Sequence, residues 1–154
     1  MAKKKPATVK KITNKRARFD YEFKDDSFLA GIVLTGIETK SLRLGHGHLR
    51  GAYVTIKDDE VYLLNATITG FNGAKLSEQD QTRSRKLLLK KREIDQIIEA
   101  KNQGKSIIPI EMLTTGRYIK IRISIGTGRK KYDKREAIKK RDQERNNQRE
   151  LNKY

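Results

Sequence analysis

Positive charge is concentrated at the two ends of this 154-residue chain, and this segregation limits where a core can form. Residues 1–18 carry eight basic side chains and no acidic one, and residues 129–154 carry eleven basic and five acidic side chains. Residues 19–128 are nearly balanced and hold nearly all of the large apolar side chains. The sequence therefore predicts a basic N-terminal arm (1–18), one folded domain (19–128) and a basic, flexible C-terminal tail (129–154).

The overall composition indicates a polyanionic partner. The formal net charge is +17, and no stretch approaches the ~20 apolar residues of a membrane helix. Nucleic acid is far commoner than an anionic membrane as the partner of such a chain. The absence of cysteine excludes disulfides, zinc–thiolate sites, iron–sulfur clusters and thiol nucleophiles, and it fits the cytoplasm, where we expect the protein to act.

Apolar and alternating segments predict a domain built mainly of β-strands. The clearest alternation sets Tyr118, Lys120, Arg122 and Ser124 against four isoleucines. Pro109 indicates an edge strand or a bulge. The predicted strands are 28–35, a hairpin of 52–57 and 60–65 around Asp58 and Asp59, a further strand within 66–71, and a hairpin of 106–113 and 117–125 around 114–116.

Two segments between the strands predict helices. Thr35 and Glu38 have the spacing of a capping box, so a short helix is expected from 36 to 44, ending at Gly45. Residues 70–85 are interpreted as a long loop, and 86–101 as an amphipathic helix of about four turns that ends at Gly104. Together these elements predict a small antiparallel β-barrel flanked by helices.

The tail has high helix propensity but no apolar stripe that could hold it against a core. One interpretation is a solvated, frayed helix that only adds solubility. The other is a segment that is disordered alone and becomes helical when phosphates neutralise its charges.

No residue pattern indicates catalysis, a metal or a cofactor. His46 and His48 form a two-residue pair without a nearby third ligand, which is typical of an exposed glycine turn. Gly126 to Gly128 lack the rest of a phosphate-binding loop and are interpreted as a flexible joint before the tail. We therefore expect a protein that is not an enzyme and needs no cofactor.

Three basic clusters lie within or beside the predicted barrel, and each alone is as typical of a solvated face as of a binding site. Taken with the basic ends, they favour recognition of folded RNA by shape and phosphate contacts. The clusters are Asn14 to Arg18; Arg83, Arg85 and Lys86 at the start of the predicted helix, followed by Lys90 to Arg92; and Lys120 with Arg122.

Five ordered stretches together resemble the SmpB family of bacterial SsrA-binding proteins, over roughly residues 12–145. They are 14–17 (NKRA), 30–43 (AGIVLTGIETKSLR), 82–89 (TRSRKLLL), 91–94 (KREI) and 130–135 (KKYDKR). Leu29, Gln81 and Thr127 depart from the family pattern, which has Glu, Pro and a basic residue there.

The resemblance implies an antiparallel barrel of six to eight strands, partly like an OB fold, that binds the tRNA-like domain of transfer-messenger RNA (tmRNA). It also implies delivery with EF-Tu to stalled ribosomes, where the tail engages the empty decoding centre and mRNA channel. By resemblance, the tmRNA contacts are Asn14, Lys15, Arg16, Leu88 and Lys120, with Glu38 and Lys40 in the adjacent helix. The ribosome-binding residues are those of the tail motif, Lys130, Lys131, Tyr132, Asp133, Lys134 and Arg135.

Together, the clusters and the resemblance predict a monomeric RNA-binding adaptor. To the contacts implied by resemblance we add Arg83, Arg85, Lys86 and Arg122 as candidate tmRNA contacts. The alternative class is a basic structural ribosomal or rRNA-binding protein, which shares the small size, the barrel and the basic arms.

Overall fold

The computed structural model describes residues 10–152, and its central feature is a closed antiparallel barrel. Six strands form the barrel in the order β8-β4-β5-β7-β2-β9, closed by pairing of β9 with β8. The strands are β1 (Lys11–Thr13), β2 (Tyr21–Ile32), β3 (Gly47–His48), β4 (Tyr53–Lys57), β5 (Glu60–Leu64), β6 (Thr67–Ile68), β7 (Arg85–Leu88), β8 (Ser106–Leu113) and β9 (Lys120–Gly128). The helices are α1 (Ala17–Asp20), α2 (Gly36–Arg43), α3 (Glu78–Gln81), α4 (Lys91–Asn102) and α5 (Lys131–Leu151). The predicted fold class is confirmed.

Both predicted hairpins are present. Asp58 and Asp59 join β4 to β5 with φ values of 51° and 60°, as a tight hairpin turn requires. Strands β8 and β9 pair from Ser106↔Gly126 to Leu113↔Lys120, with a register shift between Pro109 and Glu111. Of the two alternatives predicted at Pro109, an edge strand or a bulge, the structure shows the bulge.

The alternation predicted for β9 holds with one exception. Ile121 and Ile123 are fully buried in the core, whereas Lys120 and Arg122 are exposed on the outer face. Ser124 follows the outward positions but is buried, and its hydroxyl is satisfied there by donating to the Asp26 carbonyl at 2.9 Å. The first predicted strand also differs in extent, since β2 starts at Tyr21 and ends at Ile32.

Helix α2 begins and ends as the sequence predicts. The Thr35 hydroxyl accepts from the Glu38 amide at 3.3 Å, and the Glu38 carboxylate accepts from the Thr35 amide at 2.9 Å. Gly45 follows the helix with φ of 83°, a conformation that favours glycine. This reciprocal bonding fixes Glu38 at the start of α2, where its second oxygen is available to partners from other elements.

The helix predicted over 86–101 is wrong in its first part. Residues Arg85–Leu88 form β7, which pairs with β5 through Val61↔Leu87 and with β2 through Ile32↔Leu87. Leu87 thus faces the core as a strand residue, and the helix starts only at Lys91. The 70–85 segment, predicted as a loop, contains the short helix α3.

Both ends carry regular secondary structure, and a helix was one of the two interpretations of the tail. Strand β1 pairs with β8 within the predicted arm of 1–18, and residues 1–9 of that arm lie outside the described residues. The predicted joint at 126–128 is the end of β9 and pairs with Tyr21 to Phe23. A Cβ at Gly126 would lie 2.7 Å from the Phe23 ring, which explains glycine there. The tail forms the long, exposed helix α5, with no buried residue.

Within residues 10–152, no helix is long and apolar enough to cross a membrane.

Candidate nucleic-acid interface

An exposed apolar side chain and an exposed lysine lie side by side on the outside of the barrel. The register aligns Leu88 of β7, Gly31 of β2 and Lys120 of β9 in one row across three strands. Residues directly opposite each other lie on the same face of a sheet. Leu88 is 53% exposed, and its Cβ lies 3.3 Å from where a Cβ of Gly31 would be. The glycine therefore leaves room for Leu88 to lie low against the sheet beside Lys120.

A second row continues this surface. Leu29 of β2 pairs with Arg122 of β9, and Leu29 is 44% exposed. Arg122 donates to Glu111 at 2.9 Å, and Lys11 lies 3.3 Å from the other oxygen of that carboxylate. We call Leu29, Leu88, Lys120 and Arg122 the barrel face.

Lys120 carries the uncompensated charge of the barrel face. None of the ion pairs formed within residues 10–152 includes it. An exposed cation beside exposed leucines suits a nucleic-acid strand, because the phosphates meet the charge while a ribose or base covers the apolar surface.

Three other predicted contacts, Glu38, Arg83 and Arg85, meet in a single ion-pair cluster instead. Arg83 donates to both carboxylate oxygens of Glu38, at 2.8 and 2.7 Å, in a bidentate arrangement. Arg85 donates to Glu38 from its Nε at 3.0 Å. Glu38 is 1% exposed and Arg85 is 0% exposed.

Arg85 uses all of its donors inside the protein. Its two terminal nitrogens donate to four backbone carbonyls at 2.9–3.2 Å. The carbonyls belong to Ala66, Asp80, Gln81 and Arg83. The five N–H groups of Arg85 therefore donate to the Glu38 carboxylate and to four carbonyls, which is the full donor capacity of a guanidinium. In this arrangement Arg85 has no surface to offer to RNA, and it ties α2, β7 and the segment around α3 together.

The ionisation of the cluster follows from these contacts. Burial raises the pKa of the Glu38 carboxyl, but hydrogen bonds from Arg83, the Thr35 amide and Arg85 outweigh it and hold that pKa below its ordinary value. Burial lowers the pKa of the Arg85 guanidinium, against the opposing hydrogen bond to Glu38. Both groups are charged at neutral pH, so the cluster is a buried ion pair.

Lys86 is paired on the outer surface of the barrel. Its Nζ lies 2.5 Å from Glu60, which also accepts from the Tyr62 hydroxyl at 2.6 Å. This bond raises the pKa of Lys86 and lowers the pKa of Glu60, and the bond to Glu60 raises the pKa of Tyr62. A phosphate approaching Lys86 would have to compete with the Glu60 carboxylate.

The N-terminal cluster divides between structure and surface. Asn14 is buried; its amide side chain donates to the Pro109 carbonyl at 3.0 Å, and its backbone N–H donates to Ile110 at 2.7 Å. Lys15 and Arg16 follow it and are exposed. In the α2 helix, the Nζ of exposed Lys40 lies 4.6 Å from the centre of the Phe71 ring, a cation–π contact.

The tail residues are displayed on the first turns of α5. Lys130 precedes the helix, and Lys131, Tyr132, Asp133 and Arg135 are exposed. Lys134 differs, because its Nζ lies 3.3 Å from Asp20 at the end of α1. The Asp20 carbonyl also accepts from the Arg129 amide at 2.9 Å. Asp20, which the sequence did not single out, therefore anchors the root of the tail to the barrel.

The closed barrel, the exposed leucine and lysine, and the long basic helix together define a small RNA-binding protein of the β-barrel type. A family model described as SmpB protein matches residues 11–153. The SsrA-binding protein of Sphingomonas elodea is 41% identical over 157 aligned positions, covering 98% of each chain. The SsrA-binding protein of Acidiphilium cryptum is 44% identical, covering 90% of this chain and 87% of the relative. The chain belongs to the SmpB family.

A solved structure gives the same result for the fold. It is described as "tmRNA-SmpB: a journey to the center of the bacterial ribosome". It matches with a TM-score of 0.67 at 32% identity, covering 84% of this chain and 95% of that chain. The resemblance inferred from the five ordered stretches is therefore confirmed.

Proposed function

We propose that this protein is a tmRNA-binding adaptor for the rescue of stalled ribosomes. The relatives are named for binding SsrA, the RNA also called tmRNA, and the description of the structural neighbour pairs tmRNA with SmpB and names the bacterial ribosome. The observation that carries the proposal is the exposed Leu88 and Lys120 on either side of Gly31, with Lys120 in no ion pair within the described part of the chain.

In this proposal the barrel face binds the tRNA-like domain of tmRNA, and the exposed cations Lys15, Arg16 and Lys40 make further contacts with that RNA. Glu38 and Arg85 act as positioning residues, because their buried ion pair fixes α2 against β7. Arg83 belongs with them, since Glu38 already engages its guanidinium.

The tail has the second role. The exposed residues of α5, including Tyr132 and Arg135, are proposed to engage the empty decoding centre and the mRNA channel. Helix α5 buries no residue of its own, so it can be reoriented by a partner without loss of core contacts. The protein is proposed to work as a cytoplasmic monomer, delivered with tmRNA and EF-Tu, without catalysing a reaction itself.

Ending the chain after Lys130 tests this division of labour. The barrel keeps all of its strands, so affinity for the isolated tRNA-like domain should stay within about threefold, while tagging of stalled products is lost. The matched variant is Lys120→Ala in the full chain, which should lower the log–log salt slope of tRNA-like-domain binding by about one unit. Equal loss of RNA affinity and tagging on truncation would contradict separate surfaces. An unchanged slope for Lys120→Ala would exclude a phosphate contact.

A further inference from the structure

A cationic cleft lies between the barrel and the root of the tail, and its lining is separate from the residues of the barrel face. Its volume is about 650 Å³, within the range of about 300–1,000 Å³ typical of ligand sites. Its walls come from α1, the start of β4, the end of α4 and the first turn of α5. It includes none of Leu29, Leu88, Lys120 and Arg122.

The lining of the cleft carries far more positive than negative charge. Its lining holds a single carboxylate, Asp20, which pairs with Lys134 at 3.3 Å and with Arg16 at 3.8 Å. The three other cations are Arg50, Lys101 and Arg129. None of these three takes part in an ion pair formed within residues 10–152. Three uncompensated cations that converge on one cavity favour an anionic ligand with more than one charge.

The floor of the cleft is apolar and carries an aromatic ring. Ala17, Val54 and Ile107 line it and are buried, while Tyr53 at the start of β4 is 42% exposed. A cleft that is lined by an exposed tyrosine, apolar side chains and cations matches the needs of a nucleotide. The base stacks on the ring while the flanking phosphates meet the charges.

We propose that this cleft binds an unpaired nucleotide of an RNA strand, as a second RNA contact independent of the barrel face. Tyr53 stacks on the base, and Arg50, Lys101 and Arg129 hold the neighbouring phosphates. The contact goes beyond the proposed function, because Tyr53, Arg50, Lys101 and Arg129 have no part in that function and the contact remains if the barrel face binds something else. The strand can come from tmRNA or from ribosomal RNA, which offer the same phosphates and bases.

The test uses the full chain and a short, unstructured oligouridine RNA as the probe. The double variant Arg50→Glu/Lys101→Glu should weaken binding at least tenfold and lower the salt slope by about 1.4 units, as expected for two single-strand phosphate contacts. The matched control Lys57→Glu/Lys75→Glu makes the same change of charge on exposed lysines outside the cleft, and it should weaken binding less than threefold. Equal weakening by both pairs would overturn the proposal in favour of bulk charge.

Tyr53 supplies a readout that net charge does not move. Tyr53→Ala should weaken oligouridine binding about five- to a hundredfold, and Tyr53→Phe should restore it, because the ring does the stacking. Amide NMR of the full chain with the same probe should shift signals at Arg50, Tyr53 and Lys101. An unchanged affinity for Tyr53→Ala would overturn the proposal. So would a polyglutamate peptide that binds as tightly with the same dependence on Tyr53, since the cleft would then be a site for acidic peptide.

Two further binding experiments identify the source of the RNA strand. If it is tmRNA, Arg50→Glu/Lys101→Glu weakens binding of the isolated tRNA-like domain. If it is ribosomal RNA, the same variant weakens binding to small ribosomal subunits and leaves the tRNA-like domain unaffected. Either result supports the cleft as an RNA site. Unchanged binding in both experiments would contradict it. Because Lys120 stays intact in these variants, failure here leaves the proposed function standing.

Discussion

Arg85→Lys separates a structural role from an RNA-binding role, because it keeps the charge and removes donors. The guanidinium donates to the Glu38 carboxylate and four backbone carbonyls, all in a fully buried position. A lysine has three donors, so at least two of these acceptors lose their partner. Each buried acceptor left unpaired costs about 1–3 kcal/mol, so we expect Arg85→Lys to destabilise the protein by about 2–6 kcal/mol.

That loss is large against the total stability of about 5–15 kcal/mol expected for a domain of this size. Urea unfolding followed by far-UV circular dichroism measures it. The control is Arg92→Lys, the same chemical change on the exposed side of α4, which should alter the free energy of unfolding by no more than about 0.5 kcal/mol. A loss below about 1 kcal/mol for Arg85→Lys would refute the view that Arg85 is a buried cross-link.

Three further predictions concern the ion-pair cluster, one turn and the tail root. Because the pKa of Glu38 is lower in the folded state, its stabilisation is complete above about pH 4.5 and is lost as the pH falls through the folded-state pKa. Glu38→Gln should therefore reduce the fall in the urea midpoint between pH 7 and acid pH. Asp59→Gly should stabilise the β4–β5 hairpin by about 0.5–1 kcal/mol in urea unfolding, because φ is 60° there, whereas Asp59→Ala should destabilise it. Asp20→Asn should speed hydrogen exchange of the first turns of α5, because it removes the ion pair to Lys134; unchanged exchange would exclude that anchor.

Local signals explain which elements the sequence predicts correctly. The Thr35–Glu38 capping box and the Asp58–Asp59 turn are set by residues within a few positions of each other, and both are present. The alternating isoleucines of β9 identify a strand because only a period of two keeps them all on one side.

The failure at β7 has a physical cause. In this strand the inward positions hold Arg85 and Leu87, so a charged residue occupies a core position and hides the period of two. The apolar spacing of Leu87, Ile94 and Ile98 instead resembles a helix. The burial of Arg85 depends on Glu38, which lies 47 positions away in the chain, and no local pattern reports that pairing.

The candidate site also combines features that the local sequence predicts with features that depend on distant contacts. Lys120 and Leu88 are exposed, as an RNA contact requires. Basic residue type alone did not distinguish the exposed Lys120 from Arg83 and Arg85, which are paired with Glu38. Composition detects the charge, whereas only the fold shows which cations already have a carboxylate partner. The cleft around Tyr53 was equally hidden, because its residues come from seven separate helices and strands and from the turns between them.

The RNA that the protein carries in cells tests the central claim most directly. Full-length protein should be purified from bacterial cells and its bound RNA sequenced, alongside Lys120→Glu and the control Lys57→Glu. The account predicts one dominant tmRNA species with the unaltered protein and the control, and its loss with Lys120→Glu. Ribosomal RNA in proportion to all ribosomes, with no enrichment of tmRNA, would contradict the account and indicate a structural ribosomal protein.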